Sequence, residues 1–353
     1  MEQEFRPQAR LTARFGGLSG RLETLHRKYA RLFWTLHSIW ALFTGAAVLV
    51  LAHNRYGFLP WVILFLALTW GTTLFFSRLV LDTASPAMRF ARGFVSYLTR
   101  IMYQETLFFL IPFYLYSTTF GSLNGVYVLL IGVLAVLSCF DLVFDRLLRT
   151  SRPFALGFFA LVSFSALQFF LPVLLRIRVH YGAYLAGVLA YLAAIGLAFS
   201  WRELRAPRRL AASILGVLLV LGAVRLLRPL VPPVPLRLMK IKLVNQLDPR
   251  TLQAGEDLGD RISTAALAEG RLYVVATVFA PTELPTSIVI RSTRDGSELR
   301  SSRTVELAAH PRGFRVWDRL RAPGGTFALG DYRVEVKTAE GQLVGRRSFE
   351  IVD

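Results

Sequence analysis

Five polar side chains interrupt or border long apolar runs: His37 and Glu105 lie inside them, and Asp141, Asp145 and Arg146 stand at the end of another. A carboxylate in hydrocarbon is costly unless it is paired, neutral or part of a pathway for ions or protons. Two readings therefore stand side by side. One is an inner-facing polar pocket for a small anion, a headgroup or a proton; the other is a set of interfacial ion pairs that pin helix ends. A second constellation lies far downstream, where Arg312, Arg315, Trp317 and Arg319 follow one another along a strand-like stretch, with Arg291, Arg294, Arg300, Arg303 and Arg321 nearby. Such a basic and aromatic face suits an acidic glycan, a lipid headgroup or a partner protein. The same arginines would also blunt sheet edges and keep a domain soluble.

Other chemistry finds no support in the spacing. His26, His37, His53, His180 and His310 share no metal-ligand spacing. Glu256, Asp257 and Asp260 lack the alternation of a calcium loop and read as a solvated turn. There is no glycine-rich phosphate loop, nucleophile elbow or acid pair, so no cofactor or metal is expected and a non-enzymatic role is. Cys139 is the single cysteine, which excludes an intramolecular disulfide.

The elements that must carry these residues are of two kinds. Apolar residues make up 54% of the 353, above the usual share of a soluble domain, and point to a membrane protein. Runs long enough to cross as helices fall at Leu32–Ala52, Phe58–Phe76, Ile101–Phe120, Leu123–Phe140, Phe154–Leu175, Tyr181–Ser200 and Ala211–Leu230. The N-terminal arm and the even gaps between runs hold 18 Lys/Arg against three in the odd gaps, which places the N-terminus in the cytoplasm and, after seven crossings, the C-terminal region outside. The net charge of +18 belongs to this half, since residues 1–232 hold 23 Lys/Arg and 8 Asp/Glu. Anionic lipid explains that excess without a nucleic-acid partner.

Residues 1–31 read as a basic amphipathic cytoplasmic helix leading into a retained first anchor. A second cytoplasmic helix is expected where Ser85 caps and Pro86 enters the first turn. In the sixth run Gly182, Ala186, Ala190, Ala194 and Ala198 repeat every four residues, a stripe for close helix packing within the chain or, alternatively, for an oligomer. Gln168 reads as an interhelical hydrogen-bonding residue. The seventh run is interrupted by Arg225 and Arg228, both placed to snorkel toward the interface.

Pro232, Pro233 and Pro235 read as a stiff exit from the membrane, after which residues 233–353 change rhythm. Strands are expected at Leu272–Phe279, Ser287–Thr293, Ser302–Leu307, Phe314–Leu320, Tyr332–Lys337 and Leu343–Val352. Turns fall at Asp295-Gly296, Pro311-Arg312-Gly313, Pro323-Gly324-Gly325 and Glu340-Gly341. The expected architecture is thus an α-helical transmembrane bundle of about seven spans (residues 32–232) followed by an all-β, antiparallel, immunoglobulin-like sandwich. Gly330-Asp331-Tyr332 resembles the tyrosine corner of such folds.

Longer stretches carry a resemblance. Gln104 through Tyr114, Ser117-Thr118-Thr119, Asp141 to Arg146 and Phe170-Leu171-Pro172, with Gly313 through Trp317, Gly330 through Arg333, Gly341-Gln342-Leu343, Gly345-Arg346 and Phe349, resemble an uncharacterised family of bacterial multi-pass membrane proteins with a C-terminal extramembrane domain of unknown function. The similarity covers most of residues 100–353. It departs at Arg291 and Thr293, where the family pattern has a His and a Trp two apart. The resemblance implies a Gram-negative inner-membrane setting and the two-part layout, and no activity; the odd number of crossings makes the C-terminal domain periplasmic, and its basic and aromatic face suits an envelope protein, glycan or lipid headgroup.

Overall fold

The computed structural model describes residues 102–353 except 249, 268, 269, 281, 282, 309, 311 and 323–325, together with positions 39, 40, 43 and 64. Those four positions apart, the basic arm, the first two expected spans and the helix expected from Ser85 lie outside the described residues.

Helix α1 covers residues 102–116 and is apolar on nearly every side; residues 106–114 are all buried, as expected of a helix without a polar face. It is followed by α2 (Asn124–Ser138), α3 (Asp141–Thr150), α4 (Arg152–Leu175), α5 (Val179–Ala198), the one-turn α6 (Trp201–Leu204) and α7 (Pro207–Leu226). Local chemistry sets these boundaries. The Ser151 hydroxyl accepts from the Phe154 amide to cap α4, with Pro153 in the first turn. Ser200 and Glu203 form a reciprocal capping box on α6. Arg176 closes α4 in the left-handed conformation, with φ 51°.

Among the described residues, three helices are long and apolar enough to cross a membrane: α4, α5 and α7. The expectation of about seven spans is overturned. The run Leu123–Phe140 forms a helix of only 15 residues, about 22 Å at 1.5 Å per residue, against a hydrocarbon layer of about 30 Å. Phe140 leaves the helical region at ψ 74°, and a separate helix begins at Asp141. The apolar run is longer than the helix inside it by Leu123, Cys139 and Phe140.

Aromatic rings join α1 to α4, with Phe113 and Phe169 centroids 4.6 Å apart and Phe109 stacked on Phe170 at 6.2 Å. A buried polar chain runs through the same layer. Tyr127 Oη and Ser165 Oγ are 2.6 Å apart, and Tyr114 Oη donates to the Ser165 carbonyl at 2.9 Å. Gln168 accepts from Tyr114 at 3.3 Å and donates to the Pro232 carbonyl at 3.1 Å. The small-residue stripe lets α5 approach α4: a Cβ on Gly182 would lie 2.5 Å from Pro172 Cγ.

The strands are β1 (Arg237–Val244), β2 (Arg261–Ser263), β3 (Arg271–Phe279), β4 (Ser287–Arg294), β5 (Ser297–Ser301), β6 (Val305–Glu306), β7 (Phe314–Arg321), β8 (Gly330–Thr338) and β9 (Leu343–Val352). One sheet runs β1-β3-β7, and the other β2-β9-β8-β4-β5 with β6 also on β4. The two inner faces enclose a core that includes Leu272, Val274, Ile290, Val334 and Phe349. The antiparallel immunoglobulin-like sandwich is corrected to a mixed arrangement, because β2 pairs with β9 in parallel. A parallel neighbour requires a long connection, and β2 has only three residues, too few to show alternation. The strand expected at Ser302–Leu307 is only the two-residue β6, and β5 before it was not expected. At the Asp295-Gly296 turn both residues take positive φ, 49° and 83°, as a tight hairpin requires. Tyr332 Oη donates to the Ala328 carbonyl at 2.8 Å, a local tie four residues long.

Helices and sheets meet in a joint rather than a tether. Residues 232–236 are all buried, with Val234 inside the helical core, and Val179 from the start of α5 lies inside the sheet core. The prolines expected to stiffen an exit are packed into the contact. Asn124 Nδ2 donates to the Leu343 carbonyl at 3.3 Å, Arg346 Nη2 to the Gly121 carbonyl at 2.7 Å, and Gln342 Nε2 to the Val231 carbonyl at 3.3 Å. Arg237 stacks over the Tyr116 ring at 4.3 Å.

Close helix packing gives a direct test. Replacing Gly182 by Val forces Pro172 aside, an overpacking cost of about 1–3 kcal/mol, so the detergent-solubilised protein melts at lower temperature by scanning fluorimetry. Gly132→Ala, where an added Cβ meets nothing within 4 Å, leaves melting unchanged or slightly raised. Equal melting of the two variants would remove the claimed contact.

Candidate functional site

The outer face of the β1-β3-β7 sheet gathers the basic and aromatic residues. Alternation along β3 turns Leu272, Val274, Ala276 and Val278 inward and leaves Tyr273, Val275 and Thr277 outward. Along β7 the same period sends Val316 and Leu320 inward and Arg315, Trp317 and Arg319 outward. The register lines these up in rows: Lys242, Val275 and Trp317; Val244, Tyr273 and Arg319; Lys240, Thr277 and Arg315. Val275, between a lysine and the tryptophan, is only 4% exposed. Tyr273 and Trp317 centroids lie 6.3 Å apart.

Three of the four arginine and tryptophan residues picked out from the sequence therefore share one face, and Arg312 stands exposed in the turn at its edge. The Arg312 amide donates to His310 Nδ1 at 3.2 Å. Arg319 Nε is buried without a hydrogen-bond partner, an arrangement that favours an incoming acceptor. Arg315 Nη1 donates to the Leu252 carbonyl at 3.1 Å, which brings the hairpin closed by the Leu247–Ala254 bridge against this face as a wall. Lys240, Lys242 and Tyr273 were not singled out from the sequence. The signal for the two lysines is the alternation of residues 237–244, masked by the proline run just before it, and Tyr273 holds an outward position in the strand expected at Leu272–Phe279.

The wall is held by an ionic clamp. Arg347 on β9 donates from Nη1 to the Ile241 carbonyl at 2.7 Å and to Asp257 Oδ1 at 2.8 Å, and from Nε to Asp260 Oδ1 at 2.8 Å. Asp257 Oδ1 also accepts from the Leu243 amide at 3.2 Å. Burial alone would raise the Asp257 pKa, but the hydrogen bonds and charge of Arg347 outweigh it and hold the carboxyl below its ordinary value. The acidic stretch expected to be a solvated turn thus ties the β1–β2 connection to the last strand.

The polar cluster expected at the membrane falls only partly within the described residues. His37 lies outside the described residues; Glu105 is exposed on α1, and Arg146 is exposed on α3. Asp141 and Asp145 are placed on α3 by their backbone. Among the described residues, no group of three or more His, Cys, Asp and Glu is placed to hold a metal ion.

Comparison with known proteins gives a family match. The model of a family described as a family of unknown function (DUF5924) matches residues 18–274. The matched stretch extends from the N-terminal arm through the helices and into β3, and β4–β9 lie beyond it. No curated protein matches the chain.

The clamp has a pH signature. Because the folded pKa of Asp257 is depressed, its contribution is fully present above the ordinary value of 3.8 and is lost as pH falls through the lower folded value. Asp257→Asn is expected to destabilise the full chain by about 1–3 kcal/mol near neutral pH, and to flatten the loss of stability below about pH 4 in urea unfolding. An unchanged acid slope in the variant counts against the clamp.

Proposed function

This chain belongs to DUF5924, a family of unknown function, and we propose that it is a non-enzymatic inner-membrane protein that mounts a periplasmic β domain for binding an acidic glycan or headgroup of the envelope. The observation that carries this reading is the register of Arg315, Trp317 and Arg319 with Lys242 and Tyr273 on one sheet face, walled on one side by the Arg315-bound hairpin. Cations beside exposed rings bind anionic, sugar-like groups by charge and stacking together.

The helix ends remote from the sheets support the orientation. The β domain touches Gly121, Asn124, Val179 and Val231, so the opposite end carries Arg146, Arg152, Arg202, Arg205, Arg208 and Arg209. There the Arg152 guanidinium donates to the Ala198 carbonyl, and Arg209 pairs with Glu203 at 2.6 Å and lies 5.2 Å from the Phe199 ring centroid. The arginines at this end outnumber Arg176, Arg178, Arg225 and Arg228 at the sheet-side end, and the excess favours the cytoplasmic side, next to anionic lipid.

Two measurements test the reading. Alkaline phosphatase fused after Asp353 should be active and a fluorescent protein fused there dark; the reverse pattern refutes the orientation. With polygalacturonate as the probe, Trp317→Ala and Arg319→Ser should each weaken binding by tenfold or more, and binding should fall steeply with added salt. Unchanged binding in both variants removes the face from the account.

A further inference from the structure

A cavity of about 450 Å³ lies between α2, α4, α5 and α7, away from the basic sheet face. Its body is apolar, lined by Leu130, Phe164, Ala183, Tyr184, Val220 and Val224 among others. The reason it is open is the way α7 stands. No residue of α7 is buried, and the close approaches of α7 to α5 include two notches, Gly187 against Val220 and Val224, and Gly216 against Tyr191. The remainder of the wedge between these helices opens sideways, toward the level a bilayer would occupy, because α4, α5 and α7 are the three described helices able to cross one.

One end of the cavity is polar and built from both halves of the molecule. Gln168 of α4, His180 of α5, Arg228 from the turn after α7 and Gln342 from the β8–β9 turn all line it. Gln342 is 2% exposed; its Nε2 donates to the Val231 carbonyl, and its Oε1 has no hydrogen-bond partner. Arg228 Nη2 is likewise buried without a hydrogen-bond partner. His180 Nδ1 lies 2.9 Å from Glu340 Oε1, close enough for an ion pair though not aligned as a hydrogen bond. Gln168 already uses both ends of its amide, on Tyr114 and the Pro232 carbonyl. What remains at this end is a fixed guanidinium donor and a buried amide acceptor, roofed by the β domain. Leaving such groups unmet costs about 1–3 kcal/mol each.

We infer that this cavity is a binding site for an anionic phospholipid that enters sideways from the bilayer, one acyl chain in the apolar wedge, its phosphate at Arg228 and a headgroup hydroxyl donating to Gln342. The volume sits in the lower part of the roughly 300–1,000 Å³ range of small-molecule sites, which suits one chain and leaves the second in the surrounding lipid. Arginine favours phosphate because its planar fork offers two parallel donors and keeps its charge at any ordinary pH. The polar end faces the β domain, so the lipid comes from the leaflet on that side. This is not the polar cluster expected from the sequence around Glu105 and Asp141, and it does not depend on the sheet face binding anything.

Native mass spectrometry of the full chain, titrated in detergent with phosphatidylglycerol or phosphatidylcholine of the same chains, tests the proposal. One phosphatidylglycerol should be retained at least tenfold more tightly than phosphatidylcholine. Arg228→Gln should abolish that preference. Ala223→Phe, at an exposed position of α7 on the cavity wall, should displace the lipid with Arg228 intact and with melting unchanged, so a folding defect in the arginine variant does not decide the matter. Equal retention of the two lipids, equal retention of phosphatidylglycerol by wild type and Ala223→Phe, or palmitate competing as strongly as phosphatidylglycerol would each overturn it.

Discussion

Everything above and below the helix–sheet boundary depends on backbone groups that have no partner in their own layer. Helix ends leave amides and carbonyls unsatisfied, and near hydrocarbon there is too little water to meet them. Here the two layers meet each other's need. The Val231 and Pro232 carbonyls take amide donors from Gln342 and Gln168, the Leu343 carbonyl takes Asn124, and the Val179 amide donates to Thr286 Oγ1 at 3.4 Å. With Val179 seated in one core and Val234 in the other, neither layer can move away without exposing both apolar surface and polar backbone. Burying each such side chain contributes roughly 1.5–3 kcal/mol.

That exchange explains how the β domain comes to carry two different surfaces. The turn between β8 and β9 points down, where Glu340 and Gln342 meet the helices, and the strands β1, β3 and β7 show their outward face to solvent. Arg347 connects the two roles. It lies on β9, two residues beyond Gly345, which packs directly under Leu238 of β1, and it holds the loop that walls the basic face. A position on the last strand thus shapes a site built mostly by earlier ones.

Much of the layout was legible because it is local. Strands β3, β4, β7, β8 and β9 show as period-two runs between turn residues, and α4, α5 and α7 as apolar runs, with a proline in the first turn of α4 and of α7. The grouping of Arg315, Trp317 and Arg319 follows from the same alternation. What stayed hidden depends on partners distant in sequence. Asp257 and Asp260 look like a solvated acidic turn until Arg347, some ninety residues on, supplies their counter-charge. Pro232–Pro235 read as an exit because the sequence does not reveal that α1 and α4 close around them. β2 owes its existence to β9, not to its own three residues. The run Leu123–Phe140 was read as a span because hydropathy does not show that the helix inside it is only 15 residues long.

The sparse attachment of α7 also bears on how the chain tolerates change. A helix with no fully buried residue asks little of its exposed apolar residues beyond staying apolar. Leu215, Leu218 and Leu219, each more than half exposed, can exchange among large aliphatic types with scant consequence for the fold. Drift in sequence should therefore accumulate along that helix far faster than at Gly187 or Gly216, where an added methyl group would have to push Val224 or the Tyr191 ring aside.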